Sequence, residues 1–151
     1  MATQYTAGLT TGQVLTAATM NSIGAAWESY TPSLTQSGTV TKTVTYAKYT
    51  QINKLCICNV RLDVTGTGTS GNSILVGLPL TSATSSLISF GAASIYDAST
   101  STMYSANVRL NTTTTVNFVG DWSGANSWGV NPAIGLAASD QITFSIMYEV
   151  A

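Results

Sequence analysis

The chain has 151 residues, 44% of them hydrophobic, a formal net charge of −1 and only 7% charged residues. That length suits one domain with a proper core, and that hydrophobicity excludes disorder by composition. The five cations, Lys42, Lys48, Lys54, Arg61 and Arg109, are too few and too scattered to neutralise a phosphate backbone, so nucleic acid is not expected as a partner.

With so little charge, the polar surface must come from Thr, Ser and Asn, and threonine's β-branch suits a pleated sheet. No apolar run approaches the ~20 residues that span a bilayer, and the N-terminus lacks the basic start and apolar stretch of a secretory signal, so no membrane contact is expected.

Met1 to Leu15 reads as an extended arm interrupted by Gly8 and Gly12. A short helix is predicted next. Thr16 is its N-cap, Met20, Ile23, Gly24 and Trp27 fall at helical spacing, and Pro32 forbids extension much past Tyr30. Beyond Pro32 the pattern is that of strands. Val40–Tyr49 has ambiguous faces, because Lys42 and Lys48 share parity with Val44 and Tyr46. In Leu55–Val64, residues Cys56, Cys58, Val60, Leu62 and Val64 should face the core. Ser73–Leu78 and Leu87–Tyr96 follow as strands, then a turn at Asp97–Thr100. Tyr104, Ala106, Val108 and Leu110 alternate with polar residues, Val116 and Phe118 share a face, and Gly120–Asn131 is a long loop. Ile142, Phe144, Ile146, Tyr148 and Val150 give the cleanest alternation. Seven or eight strands with close turn signals predict an all-β protein, an antiparallel β-sandwich or jelly roll with an N-terminal extended arm and one short helix. Residues 1–30 form the attachment arm and helix, and residues 31–151 the sandwich.

Little catalytic chemistry is on offer. The chain has no histidine, so Ser-His-Asp and Cys-His mechanisms are unavailable. The acids Glu28, Asp63, Asp97, Asp121, Asp140 and Glu149 fall at strand ends, in turns or on outward faces, where solvation and turn capping account for them. Gly66 to Gly71 matches a GxGxxG spacing, but no lysine follows and no helix opens after it, so it reads as a strand connection. Cys56 and Cys58 share a strand face and read as reduced, buried hydrophobes. No enzyme activity, metal site or cofactor is expected. The most suggestive segment holds Trp122 and Trp128 in a polar loop, where two indoles could stack on sugar rings while Asp121 and Asn126 bond hydroxyls. Packing of both rings is the competing reading.

Several segments resemble small bacteriophage virion structural proteins, of the capsid decoration (cement) or tail-fibre-like kind. Gly12-Gln13-Val14-Leu15-Thr16-Ala17-Ala18-Thr19-Met20-Asn21 resembles the opening G-x-x-[VL]-T-A-A-x-[ML]-N. Trp27 followed by Tyr30-Thr31-Pro32-Ser33-Leu34-Thr35 is a second element. Tyr46 to Leu55 resembles a strand-turn-strand RYTRIGKLV, with Asn53 in place of the usual glycine and tolerant of the same left-handed turn. Gly77-Leu78-Pro79 and the Asp140–Glu149 segment complete an ordered set. The resemblance implies a non-enzymatic virion protein. Its first form is a capsid decoration protein, assembled in the host cytoplasm and held by its arm, with Leu15, Met20, Ile23 and Trp27 as attachment or oligomer contacts. The alternative is a tail-fibre or receptor-binding module that reads host glycans through Asp121, Trp122, Asn126 and Trp128. The implied partners are copies of itself, most simply a homotrimer, and the major capsid protein or another virion protein. Few charges also limit repulsion between identical copies packed side by side.

Overall fold

In a computed structural model the protein is described over residues 26–84, 89–120 and 127–151. These residues form ten antiparallel strands and no helix. They are β1 (Glu28–Ser29), β2 (Leu34–Gln36), β3 (Gly38–Thr39), β4 (Lys42–Ile52), β5 (Leu55–Val64), β6 (Leu75–Gly77), β7 (Ser89–Asp97), β8 (Thr102–Leu110), β9 (Thr115–Val119) and β10 (Gln141–Glu149). Hydrogen bonding joins them in the order β1-β4-β5-β10-β7-β8-β9-β6-β2-β3.

Alternation dictates the long strands. Cys56, Cys58, Val60, Leu62 and Val64 of β5 are buried, as are Ile142, Phe144, Ile146 and Tyr148 of β10, while Thr143, Ser145, Met147 and Glu149 are exposed. The β4–β5 hairpin turns at Asn53-Lys54, and Asn53 takes the left-handed backbone expected of it, with φ 54°.

The ambiguous faces of β4 have a local cause. Val44 pairs with Leu62 and Tyr46 with Arg61, so Thr45 is an extra residue in a bulge. The bulge reverses the parity of everything after it, which turns Ala47 and Tyr49 into the core and Tyr46 outward. A strand buried on both faces is therefore not needed to explain that pattern.

The predicted helix is corrected where it can be seen. Glu28 and Ser29 pair with Tyr49 and Lys48, and the Tyr30 amide donates to Ala47 O at 3.1 Å. Extended pairing with β4, together with the restraint Pro32 places on the residue before it, prevails over alanine-rich helix propensity. The rest of the predicted helix, and the arm before it, lie outside the described residues.

The sheet is curled so that its distant strands meet. The Phe118 and Phe144 rings, from β9 and β10, lie 5.6 Å apart. The Tyr148 hydroxyl donates to Leu80 O at 2.9 Å and accepts from Leu80 N at 3.2 Å. Tyr30 spans the core, with its hydroxyl 3.2 Å from Cys58 Sγ and donating to Gly77 O at 3.5 Å. Burial raises the Tyr30 and Tyr148 phenols above their ordinary range and pushes Cys58 up to about 12, so this cluster stays neutral.

One buried amide ties the loops to the sheet. Gln36 donates from Nε2 to Asn72 O at 3.1 Å and Ile134 O at 2.7 Å, and its Oε1 accepts from Leu136 N at 2.8 Å. The space around it admits no extra carbon. A Cβ at Gly68 would lie 2.0 Å from Gln36 Oε1, and Gly129, at φ +97°, meets Asn72 O at 2.3 Å.

Replacing Gln36 by leucine strands one N–H and two carbonyls in the interior. It should lower stability by about 2–4 kcal/mol, read as a lower urea midpoint at unchanged slope. A loss under ~0.5 kcal/mol would show that the amide is not a clamp.

Candidate functional site

The residues singled out by sequence fall into three groups. Leu15, Met20 and Ile23 lie outside the described residues, as do Asp121, Trp122 and Asn126. Trp27 is described and is 45% exposed, so its ring does not bury against its own domain in the way the helical stripe required. Trp128 is fully buried. Its amide donates to Phe118 O at 2.8 Å, its carbonyl accepts from Ile74 N, and its ring lies 6.1 Å from that of Tyr104 at a tilt of 52°. A ring held inside the protein cannot stack on a sugar, and the glycan reading of Trp128 is withdrawn in favour of packing. Its backbone pairs with Phe118 and Ile74 draw the indole in.

The acids also need one correction. Asp63 contacts Arg61 at 3.5 Å and accepts from Thr45 Oγ1, and Glu28 accepts from the Tyr49 hydroxyl at 2.8 Å. Asp97 caps its turn, accepting from Ser99 N at 2.9 Å, Ser99 Oγ at 2.6 Å and Thr100 N at 3.3 Å. Asp140 is not a solvated surface acid but wholly buried, and it accepts from Ala98 N at 2.9 Å and Ala137 N at 2.8 Å. Asp97 and Asp140 brace loops, while Glu28 and Asp63 bond to neighbouring strands. Among the described residues, no three His, Cys, Asp or Glu side chains converge as metal ligands would. Cys56 and Cys58 are free and buried. The Gly66–Gly71 segment is held by Gly68 N to Leu136 O and Gly71 N to Gly129 O, both 2.8 Å, and serves as a strand connection.

Among the described residues two surface features stand out, both on the outer face of the sheet. The first is an apolar patch at the end bearing the β4–β5 turn. Ile52 pairs with Leu55, Thr50 with Ile57, and Ile57 with Met147, so these side chains stand together. Ile52 and Leu55 are exposed by 47% and 43%, and Met147 by 51%. Trp27 precedes β1 at the same end, next to Glu28, which pairs with Tyr49. Sequence reasoning missed this patch because it joins residues from four separate segments.

The second is a pair of hollows farther along that face. One, of about 580 Å³, is lined by Tyr46, Asn59, Arg61, Ala92, Thr143 and Ser145 among others. Its neighbour, of about 590 Å³, runs over Met103, Ser105 and Asn107 and shares Ala92 and Ala93 with it. No protein-family model, curated protein or solved structure matches the chain.

The two buried carboxylates should titrate in opposite directions. Burial pushes Asp97 up, but the bonds from Ser99 and Thr100 prevail and hold it below the ordinary 3.8. Its stabilising contribution is therefore present above 3.8 and lost as pH falls through its native value. At Asp140 burial prevails over the Ala137 and Ala98 bonds, and the nearby Asp97 charge adds to it, so its carboxyl lies above 3.8. Its contribution is present below 3.8 and lost as pH rises through its native value. Carboxyl-carbon NMR should show Asp140 titrating above Asp97, and the reverse order would contradict this assignment.

Replacing Trp128 by alanine should cost about 3–5 kcal/mol in a denaturant titration, as expected for emptying a buried indole site. A loss below ~1 kcal/mol would mean that the ring is not part of the core.

Proposed function

We propose that this protein is a non-enzymatic structural protein of a bacteriophage virion, a decoration protein held to the particle at the turn-bearing end of its sheet. The observation that carries the reading is the exposed apolar patch of Ile52, Leu55 and Met147 at the turn-bearing end of the sheet, with the exposed Trp27 just before the edge strand β1. Large apolar side chains exposed together on a chain so rich in hydroxyls mark a surface that is covered in use. The resemblance of Gly12–Asn21 to a phage virion-protein opening, and of Tyr46–Leu55 to a strand-turn-strand of the same proteins, supports a virion role. A curled antiparallel sheet is the kind of framework from which a jelly-roll sandwich is built. The remaining surface is largely neutral, which lets identical copies stand close without repulsion. In this reading the copies associate as a homotrimer, and the patch contacts the major capsid protein or another virion protein.

Quantitative mass spectrometry of purified particles tests the reading directly. The chain should co-purify with them in copy number comparable to the major capsid protein. Trp27→Ser combined with Leu55→Ser should abolish co-purification while moving folding stability by less than ~1 kcal/mol, because both side chains are exposed. A chain found only free in the lysate, or a double variant that still decorates particles normally, would contradict the proposal.

A further inference from the structure

The exposed apolar patch carries one charge of each sign on its rim. The register sets Ile52 beside Leu55 and Leu55 beside Glu149 in one row, with Ile57 and Met147 side by side in the next. Lys54 lies in the β4–β5 turn, one residue before Leu55. Lys54 and Glu149 are both exposed. Among the described residues neither side chain takes part in an ion pair, and the pair that does form joins Arg61 to Asp63. In a chain with only 7% charged residues, two opposite and unpaired charges thus flank one group of exposed apolar side chains.

We propose that this end of the sheet is a self-complementary docking surface, and that its occupant is a second copy of the chain related by a two-fold axis. Leu55 stands between the two charges, with Lys54 next to it along the chain and Glu149 next to it across the sheet. These neighbours lie at similar spacings, about 3.8 Å along the backbone and about 4.8 Å between strands. A two-fold axis lying in the face and passing through Leu55 can therefore exchange the two directions. It sets Leu55 on its mate and Lys54 of each copy on Glu149 of the other. The same operation exchanges the direction towards β4 with the direction along β5 away from the turn, so Ile52 of one copy meets Ile57 of the other. Each contact is made twice, as a two-fold interface requires.

Other partners fit this rim less well. A partner of one sign would meet either Lys54 or Glu149 with a like charge, and a wholly apolar one would desolvate both without compensation. A second copy carries both signs around the same apolar centre. Ile52, Leu55 and Met147 are only about half exposed, so the patch covers less than the ~800 Å² per partner of a standard stable interface. The pair is accordingly weak and forms at high concentration.

The inference rests on the patch and not on the virion role. Pairing of free chains hides the attachment surface, and the particle displaces it. It is read on the purified full chain with no particles present, so its failure is distinct from failure to co-purify. In sedimentation equilibrium the mass should rise from 15.7 kDa towards twice that value as the concentration approaches roughly 1 mM. Lys54→Glu and Glu149→Lys should each weaken pairing by about tenfold or more, since each change acts twice across the axis, with thermal unfolding unchanged. An equimolar mixture of the two variants should pair again. So should the double variant, whose net charge equals that of the original chain. A chain that stays monomeric at this concentration would overturn the inference. So would association that neither single variant weakens, or a loss that neither the mixture nor the double variant restores. A mass rising towards three copies would overturn it in favour of a threefold contact.

Discussion

Val40 and Thr41 alone connect β3, at one edge of the sheet, to β4, the second strand from the other edge. Laid flat, those strands would stand roughly 38 Å apart, eight spacings of about 4.8 Å. Three peptide steps reach no more than ~11 Å. The sheet must therefore curl until its two ends meet, and Val40 is buried at that junction. Thr41 O accepts from both Thr65 N and Gly66 N, at 2.9 and 3.0 Å, which fixes the crossing against the end of β5. The buried faces of all the long strands, and the pairing of Phe118 with Phe144, follow from that curl.

Curling creates a second problem, because long connections must then pass over the open ends without stranding their backbone groups. The chain meets it with few charges. Gln36 takes three of those groups, Asp140 takes two and the Tyr148 hydroxyl two more. Each is a buried polar group whose satisfaction depends on a partner distant in sequence. The outer face is relieved of such work, and there composition is free to serve surfaces: a group of exposed apolar side chains at one end and a floor of small polar ones elsewhere.

The long strands were legible because a period of two leaves its mark in every residue: β5 and β10 could be read almost side chain by side chain. So could the Asn53 turn and the strand-connecting place of Gly66–Gly71. The short strands β1, β2 and β3 were not, since two or three residues carry no period, and their pairing comes from partners far along the chain. The face of β4 was hidden by one bulged residue, Thr45. Trp128 misled because a tryptophan in a polar loop looks the same in sequence whether it turns outward or closes a core. The apolar patch and the hollows are properties of strand neighbours, Ile57 beside Met147 and Ser145 beside Ala92, and sequence order gives no hint of either adjacency.

The proposed attachment covers one region of the sheet face and leaves the other open. Four oxidisable side chains report on them: Met147 in the patch and Trp27 at the same end, Tyr46 and Met103 lining the hollows, all exposed in the isolated chain. Hydroxyl-radical footprinting of the free protein and of purified particles compares their reactivities directly. Trp27 and Met147 should lose their reactivity on the particle while Tyr46 and Met103 keep theirs. Protection of Tyr46 and Met103, with Trp27 and Met147 still reactive, would contradict the account.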